Sequence, residues 1–316
     1  METLTEPINL KGRDFLTLND FSSEELNYLL ELAAKLKQQQ KAGIPHRALE
    51  GKTLGMIFQK ASTRTRVSFE VGIYQVGGQG LFLSSNDLQI GRGEPVCDTA
   101  RVLSRYLDGI MIRTFSHQEV EELAHYAAIP VINGLTDLLH PCQVLADLLT
   151  IKEYKGALAG LRLAYIGDGN NMAHSLMLGG AKMGMQIVIA APKGYEPLAE
   201  IRDKAIKTAQ ETGGSIRVTN NPLEAAAEAD VVYTDVWASM GQEKEQELRA
   251  KAFADFQVND KLMAQAHKDA IVLHCLPAHR EEEITEAILE NHQQVIFDEA
   301  ENRLHAQKAI MAAVMG

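Results

Sequence analysis

Apolar positions along the chain follow two alternating periods. From Phe21, "FSSEELNYLLELAAKLKQ" repeats apolar residues at Leu26, Leu29, Leu30, Ala33 and Leu36, the spacing of one helix face. Ser22 and Glu25 stand at capping-box spacing and mark where that helix begins. Short apolar runs follow at 53–58 (TLGMIF), 80–83 (GLFL), 109–112 (GIMI) and 129–132 (IPVI), and these read as strands. Segments of helical period at 95–107 and 117–128 separate them, so strand and helix alternate and the sheet is expected to be parallel.

A second series of strand-like runs begins near 161 with "LRLAYIGD", "QIVIAA", "SIRVTN", "DVVYTD" and "AIVLHC", and ends with "QVIFDE" at 294–299. It repeats the alternation without repeating the sequence. Between the two series, 136–153 "TDLLHPCQVLADLLTIKE" reads as one helix, long enough to bridge two lobes. The expected fold is therefore α/β: two lobes, each a mainly parallel sheet flanked by helices, joined by interdomain helices. Residues 1–153 and 154–301 form the lobes, and a last helix at about 302–316 is expected to pack back on the first.

A length of 316 residues suits two domains of common size. No stretch approaches the ~18 consecutive apolar residues of a membrane span, and the N-terminus lacks the basic and apolar regions of an export signal. A soluble, cytoplasmic protein with no membrane partner is the expectation. Cys97, Cys142 and Cys275, odd in number and widely scattered, do not form a disulfide framework. A formal net charge of -11 with no Lys/Arg block argues against a nucleic-acid partner, whose binding rests on phosphate neutralisation. Any basic cluster in such a chain suits a small anion.

One cluster stands out at 59–72, "QKASTRTRVSFEVG", directly after the first strand. The stretch "STRTRVSFEVGIYQVGG" predicts a helix with Val67, Val71 and Tyr74 on its apolar face and a stop at Gly77-Gly78. Ser62, Thr63, Arg64 and Thr65 then open a helix at the carboxyl end of a strand. Free backbone N–H groups and the helix dipole favour an anion there, by about 0.3–1 kcal/mol from the dipole alone. Taken alone, the same residues fit a capped helix with solvated arginines equally well. They are not alone. Arg113 follows "GIMI", His140 and Gln143 lie three apart in "HPCQ" at a helix start, and Asp235 and Cys275 follow the strands "DVVYT" and "AIVL". Packing wants apolar residues at such places, and this chain sets polar ones there.

"STRTR", "HPCQ", "DVWASMGQE" and "HCLPAHR", in this order and at these separations, resemble the carbamoyltransferases. The likeness covers nearly the whole chain, including 83–114 and the "GDGNN" turn, and "SMG" together with "HCLP" resembles the ornithine branch and not the aspartate one. The resemblance implies transfer of the carbamoyl group of carbamoyl phosphate to the side-chain amine of L-ornithine, giving citrulline and phosphate, in arginine metabolism and foremost in its biosynthesis. It also implies a carbamoyl-phosphate lobe, an ornithine lobe and a homotrimer with sites near the subunit contacts.

Carried over residue by residue, Ser62, Thr63, Arg64 and Thr65 match the residues that hold the phosphate, and Arg113, His140 and Gln143 those around the carbamoyl end. Gln89 matches a residue that reaches a neighbouring subunit's site. Asn171, Asp235, Ser239 and Met240 match the ornithine contacts, while Cys275, Leu276 and Arg303 match the closing side of the pocket. Arg113, His140, Cys275 and Asp235 are the expected catalytic residues. "SMGQE" is expected to close over the reactants, and Arg66, on another side of its helix, to matter less. No metal and no other cofactor is expected.

Two other readings were open to these residues. "YIGDGNNMAHS" looks like the opening of a nicotinamide-dependent oxidoreductase, but Met172 stands where the third glycine belongs and "QIVIAA" ends without an acidic residue for a ribose. A non-catalytic relative is disfavoured by the full set of polar residues. Among acceptors, aspartate is disfavoured by Asp235, whereas N-acylated ornithine and putrescine stay open.

Overall fold

A computed structural model of the chain describes residues 8–85, 87–90, 93–238 and 245–316. Two compact units result: Met1–Leu149 with Asn302–Gly316, and Thr150–Glu301. In the first, α1 (Ser23–Lys41) precedes β1 (Thr53–Phe58), α2 (Thr63–Gln75) and β2 (Gln79–Ser84). Then come α3 (Val96–Leu103), β3 (Gly109–Arg113), α4 (His117–Tyr126), β4 (Val131–Leu135) and α5 (Pro141–Lys155). The sheet order is β2-β1-β3-β4, and each neighbouring pair is parallel. Ile57, Ile110 and Ile112 of the strands pack against Val120 and Leu123 of α4 in a buried cluster.

The second unit runs β5 (Arg162–Ile166), α6 (Asn171–Lys182), β6 (Gln186–Ala190), α7 (Ala199–Thr212) and β7 (Ser215–Thr219). It continues with α8 (Pro222–Ala226), β8 (Val231–Thr234), α9 (Gln246–Ala252), α10 (Asp260–Met263), β9 (Ile271–His274) and α11 (Glu286–Asn291). The final helix, α12 (Gln293–Met315), begins in this unit and ends in the first. Its sheet, β7-β6-β5-β8-β9, is also parallel throughout. Among the described residues, no helix is long and apolar enough to cross a membrane.

The α/β character and the parallel sheets agree with the apolar pattern, and four local expectations are corrected. "QVIFDE" is not a strand but the first turns of α12. Val295, Ile296, Glu299, Asn302 and Arg303 are buried at steps of three and four while Phe297 is 56% exposed, which is a helical stripe. The β-branched pair gives strand propensity locally, and packing overrides it. The helix expected from 136 begins at Pro141, because proline disfavours helical backbone at His140 yet suits the first helical position itself. The strand read at 129–132 lies at Val131–Leu135.

The fourth correction concerns α2. Its expected apolar face is turned outward, with Val67 52% and Tyr74 77% exposed, and the buried residues are Thr65, Phe69, Gly72 and Ile73. Gly72 explains the choice. A Cβ there would meet Met311 Cε at 3.2 Å, so the glycine side is the one that admits the close approach of α12. α12 is further tied to this unit by Lys37 Nζ donating to Asn302 Oδ1 (2.7 Å) and Gly12 N–H donating to the Val314 carbonyl (2.8 Å).

The capping box at the start of α1 forms as the sequence reads, with Glu25 N–H donating to Ser22 Oγ and the Glu25 carboxylate accepting from Ser22 N–H. Replacing the cap, Ser22→Ala, is expected to cost about 1 kcal/mol of unfolding free energy. Urea unfolding checks this; a midpoint equal to that of the parent protein would show that the cap is idle.

Candidate active site

In the first unit the polar residues gather at the carboxyl ends of β1 and β3, where α2 and α5 begin. Ser62 is the N-cap of α2: its Oγ accepts from Thr65 N–H at 3.1 Å and lies 3.1 Å from Thr65 Oγ1. Thr63 is exposed, Arg64 half-buried and Thr65 fully buried. Arg113 is the last residue of β3, His140 directly precedes α5, and Gln143 lies in the first turn of that helix; all three are buried. From α12, Arg303 donates through Nη2 to Thr65 Oγ1 at 2.8 Å and through Nη1 to Gln143 Oε1. Gln89 is exposed on the connection between β2 and α3.

The field at this cluster is strongly positive. Burial drives the His140 imidazole well below the usual histidine range, and the charges of Arg303, Arg113 and Arg64 push the same way. His140 is therefore neutral near pH 7 and serves as a hydrogen-bonding group, not a cation. Neighbouring Cys142 is no nucleophile: burial lifts its thiol to about 12, and it donates to the Asn133 carbonyl at 3.3 Å. Two other cations of the opening stretch are engaged elsewhere. Lys60 pairs with Asp137 and sits 4.4 Å from the centre of the Phe115 ring. Arg66 lies 3.7 Å over Phe82 and pairs with Glu70.

The second unit presents the opposite chemistry. Asp235, just past β8, is buried; its Oδ1 accepts from the Cys275 thiol at 3.1 Å and from Val236 N–H at 2.8 Å. Its Oδ2 accepts from Asn170 Nδ2 at 3.0 Å. Asn170, the N-cap of α6, went unnoticed in the sequence beside Asn171, which opens the helix and is half-buried. The "GDGNN" turn that positions both is tightly built: a Cβ on Gly169 would stand 2.3 Å from Pro197 N. Leu276, after Cys275, has a φ of 56°, a left-handed backbone that is unfavourable for a branched residue by about 1–2 kcal/mol. His274 Nδ1 accepts from Leu276 N–H at 2.9 Å and so holds that turn.

Asp168 and Arg249 were also missed, and they form a buried pair. Arg249 Nη1 donates to Asp168 Oδ2 and to the Trp237 carbonyl, each at 2.9 Å, and its Nε donates to Glu245 Oε2 at 3.0 Å. Trp237 and Glu245 flank residues 239–244. Ser239 and Met240, and the "SMGQE" closure, lie outside the described residues. For a metal, one ligand atom each of Asp235, His274 and Cys275 lie within 4.8 Å of one another. A cation there would have to displace the thiol–carboxylate bond and the bond from Leu276 N–H to His274 Nδ1, while His274 Nε2 is held by Glu283 at 3.0 Å.

Family models settle the kinship. The carbamoyl-P binding domain of aspartate/ornithine carbamoyltransferase matches residues 13–153, and its Asp/Orn binding domain matches 159–314. The chain belongs to the aspartate/ornithine carbamoyltransferase family. An ornithine carbamoyltransferase of Oceanobacillus iheyensis is 62% identical, with 100% of this chain and 99% of that one covered. Among solved structures, ornithine carbamoyltransferase from Pyrococcus furiosus matches with a TM-score of 0.95 and 55% identity over 98% of this chain and 99% of its own. The anabolic ornithine carbamoyltransferase of Campylobacter jejuni matches at 0.90 and 48%, over 95% and 97%.

The buried ion pair of this carbamoyltransferase has a pH signature. Burial raises the Asp168 carboxyl from 3.8 to about 6, against the pull of Arg249. The folded state thus holds this proton more tightly than the unfolded chain, so its contribution to stability is complete below 3.8 and lost as pH rises through about 6. Urea unfolding across that window should show a shallower fall for Asp168→Asn than for the parent protein. Equal falls would mean that Asp168 titrates normally.

Proposed function

We infer that the protein is an ornithine carbamoyltransferase, carrying the carbamoyl group of carbamoyl phosphate to the side-chain amine of L-ornithine to give L-citrulline and phosphate. One observation carries the reading beyond kinship. A buried positive cluster with a neutral imidazole stands in one unit, and a buried carboxylate bonded to a thiol stands in the other. One reactant is a dianion bearing a carbonyl, and the other is an amino acid with two amines.

Ser62, Thr63, Arg64 and Thr65 hold the phosphate in this reading, with Gln143 and Arg303 behind them and Gln89 contributed by a neighbouring subunit. Attack by the amine places negative charge on the carbonyl oxygen, and Thr65, Arg113 and His140 are the donors for it; one preorganised donor of this kind contributes about 2.7–4 kcal/mol. Neutral His140 donates a proton-bearing nitrogen without adding repulsion to the nearby guanidiniums. The ornithine side-chain amine, with a lysine-like pKa of ~10.4, reacts only when deprotonated. Asp235 grips the α-ammonium, Asn171, Ser239 and Met240 the carboxylate, and Cys275 with Leu276 faces the reacting amine.

The direction is biosynthetic, in line with the anabolic designation of the Campylobacter relative. The cytoplasm is the compartment, supported by Cys97, Cys142 and Cys275 standing outside any disulfide. The assembly is a homotrimer. Its support is the outward face of α2, where Val67, Val71 and Tyr74 line a groove of about 690 Å³ together with Gln79 and Gly80 of edge strand β2. An apolar face on an edge strand invites a second chain.

Purified protein with carbamoyl phosphate and ornithine should form citrulline, and none of aspartate, N-acetylornithine or putrescine should replace ornithine at comparable rate. No ureido product from any of the four would overturn the reading. Arg64→Ala should raise the KM for carbamoyl phosphate and lower kcat by about 10²-fold or more, whereas Arg66→Ala should leave turnover near the parent value. Sedimentation equilibrium should give three times the chain mass, and Tyr74→Glu should shift it toward one; a monomeric parent protein would refute the trimer.

A further inference from the structure

Asp147 is a fully buried carboxylate in α5 to which none of the roles above is given. Burying a carboxylate is costly unless its oxygens are bonded, so its partner is informative. Its Oδ1 accepts from Gln143 Nε2, one helical turn earlier, at 2.8 Å. Gln143 Oε1 in turn accepts from Arg303 Nη1, and Arg303 Nη2 donates to Thr65 Oγ1 at 2.8 Å. Thr65 Oγ1 lies 3.1 Å from Ser62 Oγ. Five side chains from α5, α12 and the start of α2 therefore form one hydrogen-bonded chain that ends at the donors assigned to the phosphate.

The two ends of this chain differ in kind. A carboxylate accepts only and a guanidinium donates only, whereas the primary amide between them can face either way. With Asp147 present, the amide has one arrangement that bonds both neighbours: nitrogen toward the carboxylate, oxygen toward Arg303. Reversed, it sets nitrogen against guanidinium and oxygen against carboxylate. Arg303 is thereby aimed, and its Nη2 fills one lone pair of Thr65 Oγ1. The bond between the Ser62 and Thr65 hydroxyls uses one of their two protons, which leaves the other to be donated to a bound oxygen.

We propose that Asp147 is a positioning residue for carbamoyl phosphate: it locks the Gln143 amide, and through it Arg303 and the Thr65–Ser62 donors, in the polarity that an anionic oxygen requires. The proposal rests on the carbamoyl-phosphate reading above. It separates Asp147 from a residue that merely fills the interior of α5, because its effect must pass through Gln143.

A double-mutant cycle on the full-length enzyme tests this. Asp147→Ala removes the acceptor. Asp147→Asn keeps the shape while offering the Gln143 amide a donor as well as an acceptor, and remains informative if the alanine variant does not fold. The KM for carbamoyl phosphate should rise about 10-fold for Asn and about 100-fold for Ala, the scale of a misplaced binding group. The KM for ornithine at saturating carbamoyl phosphate should change less than about 2-fold, and in a Gln143→Leu background Asp147→Asn should add less than about 2-fold to the carbamoyl-phosphate KM. A lowered melting temperature with an unchanged carbamoyl-phosphate KM would make Asp147 purely structural and overturn the proposal. Equal effects of Asp147→Asn in the parent and Gln143→Leu backgrounds would also overturn it. Absence of carbamoyl-phosphate turnover in the parent protein would instead bring down the functional reading, and this proposal with it.

Discussion

A parallel sheet places the carboxyl ends of all its strands on one edge, and the helices that follow begin there. Most of the candidate site depends on that constraint, while Arg303 reaches it from within α12. In the first unit it brings the start of α2, the end of β3 and the start of α5 to one edge. In the second it does the same for the "GDGNN" turn after β5, Asp235 after β8 and Cys275 after β9. Residues distant in sequence become neighbours without any long-range signal in the sequence itself, because parallel pairing is enough.

The edge of the first unit shows how a chain of net charge -11 gathers a local cluster of positive charge. Excess negative charge on the surface is screened over about 8 Å in physiological salt, while buried charges at close range are screened much less. Arg113 and Arg303 are buried, and with Arg64 their charges add to the effect of burial in disfavouring a charged His140. The neutral imidazole follows first from burial and second from these guanidiniums. Lys60 and Arg66 add little to this field because Asp137 and Glu70 offset them.

Much of this was legible in the sequence, for physical reasons that differ by element. Strands such as "GIMI" and "AIVL" are buried on both faces, so their apolar runs have no competing helical reading. "QVIFDE" misleads because the same three apolar residues suit a strand locally, and only the polar stripe of Glu299, Asn302 and Arg303 reveals a helix. Those residues look solvent-facing in a sequence and are buried in the structure. The outward apolar face of α2 misleads in the converse way: a sequence records that Val67, Val71 and Tyr74 share a side, not whether the chain's own core or another surface covers it. Asn170, Arg249 and Asp147 were missed because each acts on another polar side chain. Periodicity and strand-end position do not encode such partnerships.

Hydrogen-bond polarity links the two halves of the chemistry. Buried guanidiniums need acceptors, and in the first unit Arg303 donates to Gln143 and Thr65. In the proposed reading a phosphate brings several acceptors at once, which favours a dianion over a neutral analogue of equal size. Buried carboxylates need donors, and in the second unit Asp235 takes three from Cys275, Asn170 and Val236, all uncharged. The α-ammonium of the amino acid, in the proposed reading, brings both charge and protons to this carboxylate. In that reading each substrate meets groups of opposite polarity, bringing acceptors to guanidiniums in one unit and donors to a carboxylate in the other. Selectivity for an anionic donor and a cationic acceptor would follow from that opposition, before any contact with the reacting atoms is made.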